Sequence, residues 1–444
     1  MRVLLSTIGS RGDVQPLVAL ALHLKSIGRE VRICAPPDFR EWIEGLGLAM
    51  TPIGPEVRKF AAARPAGSAP PGQSTPGQPT PGQPTPGQPT PGPPTPEQRR
   101  QMAEATVATQ FETITAAAQG CDLIIGATAL QIAARSVAET LGIPYVFVAY
   151  AATVLPSPHH PPPALPPIPG LTPPATADNR ELWRLDAARF NDLFGPALNS
   201  HRASLGLSAV SDVRSHVFTD RPWLAADPTL GPWPDPADTD PADADQASAD
   251  SANQRVRQTG AWILPDDRPL SPELEAFLAE GEPPIYFGFG STRAPQAAGQ
   301  MMLDAARALG RRAIVSRGWF DGTLVDNAVD CLSIGDANFH ALFPRVAAVV
   351  HHGGAGTTTA AAMAGAPQVI VPEIYDQPYW GRQVERLGIG TAITSRPLTS
   401  DSLTRALEQA LTADVKARAN AVAPAVRRDG VEVAAALQQA MRLP

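Results

Sequence analysis

The sequence predicts an α/β protein of two facing domains, each built on a doubly wound parallel sheet. Apolar strand patterns alternate with amphipathic helix patterns, this alternation starts anew in the second half, and 444 residues are too many for a single hydrophobic core. A stretch between the halves is rich in Asp, Ala and Pro, as is typical of a linker. We therefore expect an N-terminal domain at 1–228, the linker at 229–256, a C-terminal domain at 257–425 and a last helical segment at 426–444.

The N-terminal half opens with a βαβ unit. Val3–Thr7 has the pattern of a buried strand, Ile8–Asp13 is predicted as a loop, and Pro16–Ile27 as an amphipathic helix. Glu30–Ala35 is the next strand, and such a unit places its loop at the carboxyl edge of the sheet, where parallel sheets bind ligands. Further helices and strands are predicted at Asp38–Gly45, Met50–Gly54, Glu97–Ala118, Asp122–Ile125, Ala129–Leu141, Tyr145–Tyr150 and Arg180–Leu205.

A proline-rich insertion interrupts this half at residues 65–96. It repeats Thr-Pro-Gly-Gln-Pro with a period of five residues, starting at Thr75, Thr80 and Thr85. Proline and glycine at this density cannot build a core, so we predict an extended surface loop. Two functional alternatives stay open, a polyproline arm that recruits a partner and a flap over a ligand site.

The second half repeats the strand and helix alternation, which predicts two Rossmann-like domains facing each other. Its elements are predicted at Ser271–Ala279, Pro284–Gly288, Gln296–Leu309, Arg312–Ser316, Cys331–Ile334, near His340, and at Ala347–Val350, Gln368–Val371 and Gly430–Met441.

The stretch His351–Thr359 is the strongest functional signal in the chain. It follows an apolar strand and combines two histidines, three glycines (Gly353, Gly354 and Gly356) and three threonines ahead of an alanine-rich helix. Glycines let a backbone approach a ligand closely, and the first N–H groups of a helix bind anions, so we predict a diphosphate cradle. The stretch is neither a Gly-Lys-Ser/Thr phosphate loop nor a dinucleotide-binding fingerprint, which disfavours ATP hydrolysis and hydride transfer.

Two more glycine-containing turns follow strands. Gly288–Thr292 carries Ser291, which can donate to a phosphate. Gly9–Asp13 carries Arg11 for charge neutralisation and the carboxylate of Asp13, although capping of the following helix explains Asp13 equally well.

Asp376 and Gln377 follow the strand Gln368–Val371 and are expected at the same ligand-binding edge. An acid beside an amide can bind adjacent sugar hydroxyls, and a solvent-exposed turn is the alternative. His159 and His160 lie in a proline-rich loop without a third ligand, so no metal site is predicted.

Composition excludes several classes of function. A net charge of -7 without a basic block disfavours nucleic acid as a partner. The three cysteines lie far apart, which fits a reducing cytoplasm rather than a disulfide framework. Because the sequence shows neither a signal segment nor an apolar run of about 20 residues, we expect a cytoplasmic protein without an integral membrane segment.

Together, these motifs resemble those of the vancomycin-group glycopeptide-antibiotic glycosyltransferases, within glycosyltransferase family 1 and the GT-B fold. The resemblance covers nearly the whole chain. It is carried by Gly9–Asp13, Arg32–Asp38, Gly142–Pro144, Asn199–Arg202, Gln258–Pro265, Ser316–Trp319 and His351–Thr359.

The resemblance implies an inverting transfer of a hexose from a nucleotide-diphosphate sugar, with Asp13 as the catalytic base and no required cofactor. It favours UDP-glucose among UDP- and dTDP-hexoses, because Asp376 and Gln377 match the sugar-contacting pair of glucose-using relatives. It also implies a last helix that returns to the N-terminal domain. The implied donor contacts are Ser10, Arg11, Gly12, Ser291, Asn338, His351, His352, Gly353, Gly354, Ala355, Gly356, Thr357, Asp376 and Gln377.

The implied acceptor is a phenolic or benzylic hydroxyl of an aromatic heptapeptide-like aglycone, and we expect a monomer. Val14 and Gln15 depart from the Thr-Glu usual in the group. Other natural-product aglycones (polyketide, sterol, flavonoid) therefore stay open as acceptors, as does a non-catalytic sugar-nucleotide-binding protein.

Overall fold

The computed structural model describes residues 1–58, 95–163, 176–234, 255–290, 298–318 and 328–440. Three of the predictions fall wholly or largely outside these ranges. They are the proline-rich insertion at 65–96, Ser291, and most of the linker at 229–256.

The first half of the described chain forms a parallel sheet of seven strands in the order β3-β2-β1-β4-β5-β6-β7. These strands are β1 (Arg2–Thr7), β2 (Glu30–Ala35), β3 (Ala49–Pro52), β4 (Leu123–Ala127), β5 (Tyr145–Ala149), β6 (Trp223–Leu224) and β7 (Arg257–Gln258). The helices around them are α1 (Arg11–Ser26), α2 (Arg40–Gly45), α3 (Pro96–Ala118), α4 (Ala134–Leu141), α5 (Asn179–Ser204) and α6 (Val213–Phe218). Short 3-10 turns occupy Pro37–Phe39 and Ala152–Val154.

The second half forms a parallel sheet of six strands in the order β10-β9-β8-β11-β12-β13. These strands are β8 (Ile285–Gly288), β9 (Ala313–Ser316), β10 (Cys331–Ile334), β11 (Ala348–His351), β12 (Gln368–Ile370) and β13 (Gly390–Ala392). Its helices are α7 (Pro272–Ala279), α8 (Ala298–Ala308), α9 (Phe339–Leu342), α10 (Ala355–Met363), α11 (Gln377–Leu387), α12 (Ser400–Ala410), α13 (Ala413–Val422) and α14 (Gly430–Ala440), with 3-10 turns at Phe343–Arg345 and Ala423–Ala425.

This architecture confirms the predicted fold class, two parallel sheets with helices, and it also corrects two element boundaries. The segment Ile8–Asp13 is not a loop throughout, because α1 already begins at Arg11. The helix predicted from Ala129 begins only at Ala134, because Thr128 has a left-handed backbone with φ of 74° and starts a loop.

Two groups of contacts join the N-terminal and C-terminal halves. In α14, Val431, Ala434 and Ala435 pack into the core cluster of the N-terminal sheet, which includes residues of α1. The carboxylate of Asp227 is fully buried and accepts backbone N–H bonds from Thr229, Leu230 and Arg427. A buried carboxylate satisfied by several N–H donors fixes the crossing segments at this point.

In the described ranges, no helix is both long and apolar enough to cross a bilayer.

Candidate active site

Asp13 lies in the first turn of α1. Its Oδ2 accepts hydrogen bonds from the Ser10 backbone N–H at 2.6 Å and from the Ser10 hydroxyl at 3.1 Å. Within the residues described, Oδ1 accepts none, so this oxygen keeps its lone pairs for an incoming proton. The geometry accommodates both alternatives that the sequence leaves open, since one oxygen caps the helix while the other stays free.

The surroundings of this carboxylate are tightly shaped. A Cβ at Gly9 would lie 2.2 Å from Oδ2 of Asp13, so only glycine leaves room for the side chain. The hydroxyl of Tyr150 donates to the Asp13 backbone carbonyl at 3.1 Å. Burial raises the pKa of Asp13 to about 6, against the opposing effect of the two hydrogen bonds from Ser10. Asp13 is therefore a stronger base than an ordinary aspartate.

Asp376, immediately before α11, supplies a second carboxylate from the C-terminal half. Its Oδ2 accepts a hydrogen bond from the Trp380 indole N–H at 3.0 Å. Burial raises the pKa of Asp376 to about 7, the Trp380 bond opposes this shift, and the charge of Asp13 adds to it. The two halves thus bring their carboxylates close enough for one charge to act on the other across the cleft.

His351 is buried beneath the glycine-rich turn of the cradle. Its ring has no exposed area, its Nε2 pairs with Gln368 Oε1 at 2.9 Å, and its Nδ1 accepts the Gly353 N–H at 3.1 Å. Burial lowers the pKa of His351 to about 3, so the imidazole is neutral. Both ring nitrogens are used and the residue holds the turn in shape, whereas its predicted contact with a diphosphate stays a prediction.

The N-terminus of α10 lies at the predicted cradle and leaves its first N–H groups without a side-chain cap. Gly354 is the N-cap and has no side chain to satisfy the first N–H groups, and Gly356 in the first turn is exposed. The hydroxyls of Thr358 and Thr359 bond back to the carbonyls of Gly354 and Ala355. Of the three threonines, Thr357 is the one whose hydroxyl has no partner in the described part of the chain, as a ligand contact requires.

His352 sits between the two glycine-rich turns of this half. A Cβ at Gly290 would lie 3.2 Å from its ring, and a Cβ at Gly354 would lie 2.6 Å from it. The imidazole therefore leaves no room for a side chain at Gly354 and little at Gly290, whose φ of 58° also favours glycine. Burial lowers the pKa of His352 to about 4, so its imidazole is neutral.

Gln377 braces the loop that carries Asp376. Its Oε1 accepts the backbone N–H groups of Glu373 at 2.8 Å and Ile374 at 3.2 Å. The side chain is 9% exposed, which argues against the alternative of a solvent-exposed turn. Its Nε2 has no partner among the described residues, and its contact with a sugar stays a prediction.

Arg11 connects the halves directly. Its guanidinium lies 3.2 Å from Asp336, which also pairs with Arg268 at 3.1 Å. Gln15 accepts from Arg11 Nε at 3.1 Å, and the guanidinium lies 5.1 Å from the ring centre of Trp42. Arg11 is thus fixed at the mouth of the cleft, where a diphosphate would have to compete with Asp336 for it.

A cavity of about 300 Å³ adjoins Asp336. Gly335, Asn338, Arg268 and Arg317 are among its lining residues. The amide of Asn338 caps α9 through Oδ1 and donates from Nδ2 to the carbonyls of Asp266 and Arg268, both at 2.8 Å. These bonds use both amide atoms, so Asn338 shapes the wall of the cavity, and its contact with a nucleotide stays a prediction.

The structure therefore collects most predicted residues around one cleft: Ser10, Arg11, Gly12 and Asp13 on one side, and the cradle, Asp376 and Gln377 on the other. Sequence reasoning missed Trp380, which holds Asp376, and Tyr375, whose backbone is left-handed with φ of 60°. The available signal was the presence of aromatic residues beside Asp376 in the sequence, since Asp376 was already predicted to bind a sugar.

Two family models match the sequence. The glycosyltransferase family 28 N-terminal domain matches residues 3–156. The C-terminal domain of the erythromycin biosynthesis protein CIII-like family matches residues 324–433.

Several curated proteins of Amycolatopsis orientalis are similar over almost the whole chain. The vancomycin aglycone glucosyltransferase is 45% identical, covering 98% of this chain and 97% of the relative. Glycosyltransferase GtfE is also 45% identical with the same coverage, and the dTDP-epi-vancosaminyltransferase is 41% identical over 95% of this chain and 93% of its own.

Solved structures share the fold at lower identity. The glycotransferase of kitacinnamycin superposes with a TM-score of 0.68 at 18% identity, covering 100% of this chain and 99% of the other. Glycosyltransferase VinC in complex with dTDP superposes with a TM-score of 0.65 at 21% identity over 100% of both chains.

Proposed function

The chain belongs to the vancomycin-group glycopeptide-antibiotic glycosyltransferases, nucleotide-sugar-dependent enzymes of the GT-B fold, and we propose that it moves a glucose-like hexose onto a glycopeptide aglycone with inversion. The acceptor group is a phenolic or benzylic hydroxyl. The observation that carries this proposal is the free Oδ1 of Asp13, which stands across the cleft from Asp376 and the cradle.

Asp13 acts as the general base in this reaction. Its Oδ1 takes the proton of the acceptor hydroxyl while that oxygen attacks C1 of the donor sugar and the bond from C1 to the diphosphate breaks. Attack from the face opposite the leaving group inverts the configuration. A phenol has a pKa of about 10, so a carboxylate with a raised pKa is a suitable base for it.

The cradle stabilises the leaving nucleoside diphosphate. The free N–H groups at the start of α10 face the developing negative charge, and neutral His352 donates a hydrogen bond to it. Arg11 adds positive charge from the opposite half when the diphosphate displaces Asp336.

The donor is UDP-glucose or a similar UDP- or dTDP-hexose. Asp376 and the Nε2 of Gln377 support a neutral hexose, because a carboxylate and an amide together bind adjacent hydroxyl groups. No disulfide joins Cys34, Cys121 and Cys331, in keeping with a reducing cytoplasm. One chain supplies both sides of the cleft, so we propose that it acts as a monomer.

The test is a matrix of UDP-glucose and dTDP-glucose against vancomycin aglycone, a polyketide aglycone, a sterol and a flavonoid, with products detected by mass. We expect one hexosyl unit to appear on vancomycin aglycone, with UDP-glucose as the better donor. Transfer to another aglycone alone would contradict the proposed acceptor. Nucleotide-sugar binding without transfer to any acceptor would instead favour a non-catalytic binding protein.

The pH profile tests the base independently of the substrate. Asp13 and Asp376 both act as carboxylates, so kcat/KM should be constant at high pH and fall as the pH drops through their pKa values, about 7 for Asp376 and about 6 for Asp13. The Ser10 hydroxyl lowers the pKa of Asp13, and Ser10→Ala should therefore move the acid limb upward by about half a unit to one unit. The measurement is kcat/KM from pH 4.5 to 9 with vancomycin aglycone as the varied substrate.

Ser26→Ala is the matched control, because within the described ranges the Ser26 hydroxyl donates only to the His23 carbonyl, at the end of α1 away from Asp13. Its profile should overlie that of the wild type. An acid limb that is identical in Ser10→Ala and the wild type would exclude Asp13 as the titrating base.

A further inference from the structure

We propose that His160 forms an acceptor subsite: its Nε2 receives a hydrogen bond from an O–H or N–H group on an aromatic ring of the aglycone. This inference rests on the proposed function and adds a binding residue to it. His160 has no part in the chemistry described above.

The geometry of His160 points to an unfilled hydrogen bond. The side chain is 8% exposed, and its Nδ1 lies 3.3 Å from the Pro161 carbonyl. A carbonyl only accepts, so Nδ1 carries the proton and Nε2 presents a lone pair. This Nε2 is buried without a hydrogen-bond partner. Buried polar atoms are nearly always paired, so an orphaned acceptor indicates a missing donor.

Tryptophan rings surround this imidazole. Those of Trp183 and Trp233 both lie 6.0 Å from it, centre to centre, in edge-to-face orientation. The Trp183 indole also donates to the His160 carbonyl at 2.9 Å, which fixes the loop backbone. A hydrogen-bond acceptor among aromatic edges suits a ring that carries a donor group, whereas an aliphatic chain would leave Nε2 unpaired.

The position of His160 fits the acceptor side of the cleft. His160 lies in the loop after the carboxyl end of β5. The same loop begins with Tyr150, whose hydroxyl donates to the backbone carbonyl of Asp13. Burial lowers the pKa of His160 to about 4, and the charge of Arg382 on α11 contributes to this shift. His160 is therefore neutral at the working pH.

The C-terminal half places a second unpaired polar atom nearby. The hydroxyl of Tyr379 on α11 is buried without a partner and lies within reach of Gly231, two residues from Trp233. The charge of Arg382 acts on the pKa of Tyr379 as well as on that of His160. Tyr379 thus places a second unpaired hydroxyl, from the C-terminal half, against Gly231 in the segment that carries Trp233.

The test compares the wild type with His160→Phe, which keeps an aromatic ring and removes the lone pair. Loss of one buried hydrogen bond should raise the KM for vancomycin aglycone about tenfold. The kcat and the KM for UDP-glucose should stay within about twofold, since the donor side is untouched. His159→Phe is the control: this neighbouring histidine is exposed, and its variant should match the wild type.

Nitrogen-15 NMR of histidine-labelled wild type gives a second readout that needs no folded variant. The Nε2 signal of His160 should move upfield when vancomycin aglycone and UDP saturate the enzyme. An Nε2 signal that stays in place, or an aglycone KM that is unchanged in His160→Phe, overturns the subsite. If the wild type transfers no sugar to vancomycin aglycone, the proposed acceptor falls, and this inference with it; transfer with an unmoved signal overturns the subsite alone.

Discussion

Asp13→Asn should lose at least about a hundredfold in kcat, because asparagine cannot take a proton from the acceptor hydroxyl. The amide keeps the shape of the side chain, and its oxygen can still accept the Ser10 backbone N–H that Oδ2 accepts now. The KM for UDP-glucose should change by less than about twofold, since the base lies opposite the cradle. Single-turnover transfer to vancomycin aglycone separates this loss from slow product release.

Stability distinguishes loss of the base from loss of the fold. The folded-state pKa of Asp13, about 6, is above its unfolded value, so this group favours folding fully at low pH and loses that contribution as the pH rises through 6. At pH 8 the wild type therefore carries an unfavourable buried charge that Asp13→Asn lacks. We expect the thermal midpoint of the variant at pH 8 to equal or exceed that of the wild type.

Asp212→Asn provides the control for helix capping. The carboxylate of Asp212 also accepts N–H and O–H bonds from a serine, Ser215, at the start of a helix, but far along the chain from the site. Turnover should remain at the wild-type level in that variant. Near-native turnover of Asp13→Asn would refute Asp13 as the base.

The sequence predicts the strands and the edge that binds ligands because both depend on local patterns. An apolar run followed by glycine and a polar side chain is readable whatever the rest of the chain does, as at β1 before Asp13 and at β11 before the cradle. Helix boundaries are predicted less accurately where a helix begins within a polar segment. The sequence Ser10-Arg11-Gly12-Asp13 resembles a loop, yet its capping bonds start α1 at Arg11.

The division of work between His351 and His352 could not be predicted. Adjacent residues at a strand end point to opposite sides, but the pattern does not say which side faces the ligand. Burial and two hydrogen bonds, one of them from the Gly353 N–H, assign His351 to support, whereas the ring of His352 lies against Gly290 and Gly354. The pairing of Arg11 with Asp336 depends likewise on how the halves face each other, which no local pattern encodes.

Gly353→Ala should damage both the fold of the C-terminal half and its donor site. Gly353 has φ of 92°, and a Cβ there would lie 2.7 Å from Ile370 Cγ2 and 3.1 Å from the Gln377 carbonyl oxygen. Left-handed strain costs about 1–2 kcal/mol for a residue with a Cβ, and overpacking adds about 1–3 kcal/mol. We expect a total of about 2–5 kcal/mol and a fall in the melting temperature of about 4–20 °C.

The clashes of the added Cβ with Ile370 and Gln377 should weaken diphosphate binding in particular. Relief of the clash must move β12 or the start of α11, and both movements shift the Gly353 N–H that His351 holds. The affinity for UDP, measured by calorimetry below the melting temperature, should fall more than about tenfold as the cradle loses its shape.

Gly310→Ala separates backbone strain from the clash. Gly310 lies in the same half, has φ of 63°, and nothing approaches the position of its Cβ within 4 Å. That variant should lose about 1 kcal/mol through strain alone and bind UDP as the wild type does. If Gly353→Ala melts and binds UDP like Gly310→Ala, then close packing under the cradle does not hold the diphosphate site, and the anion-binding role of this turn must be reassigned.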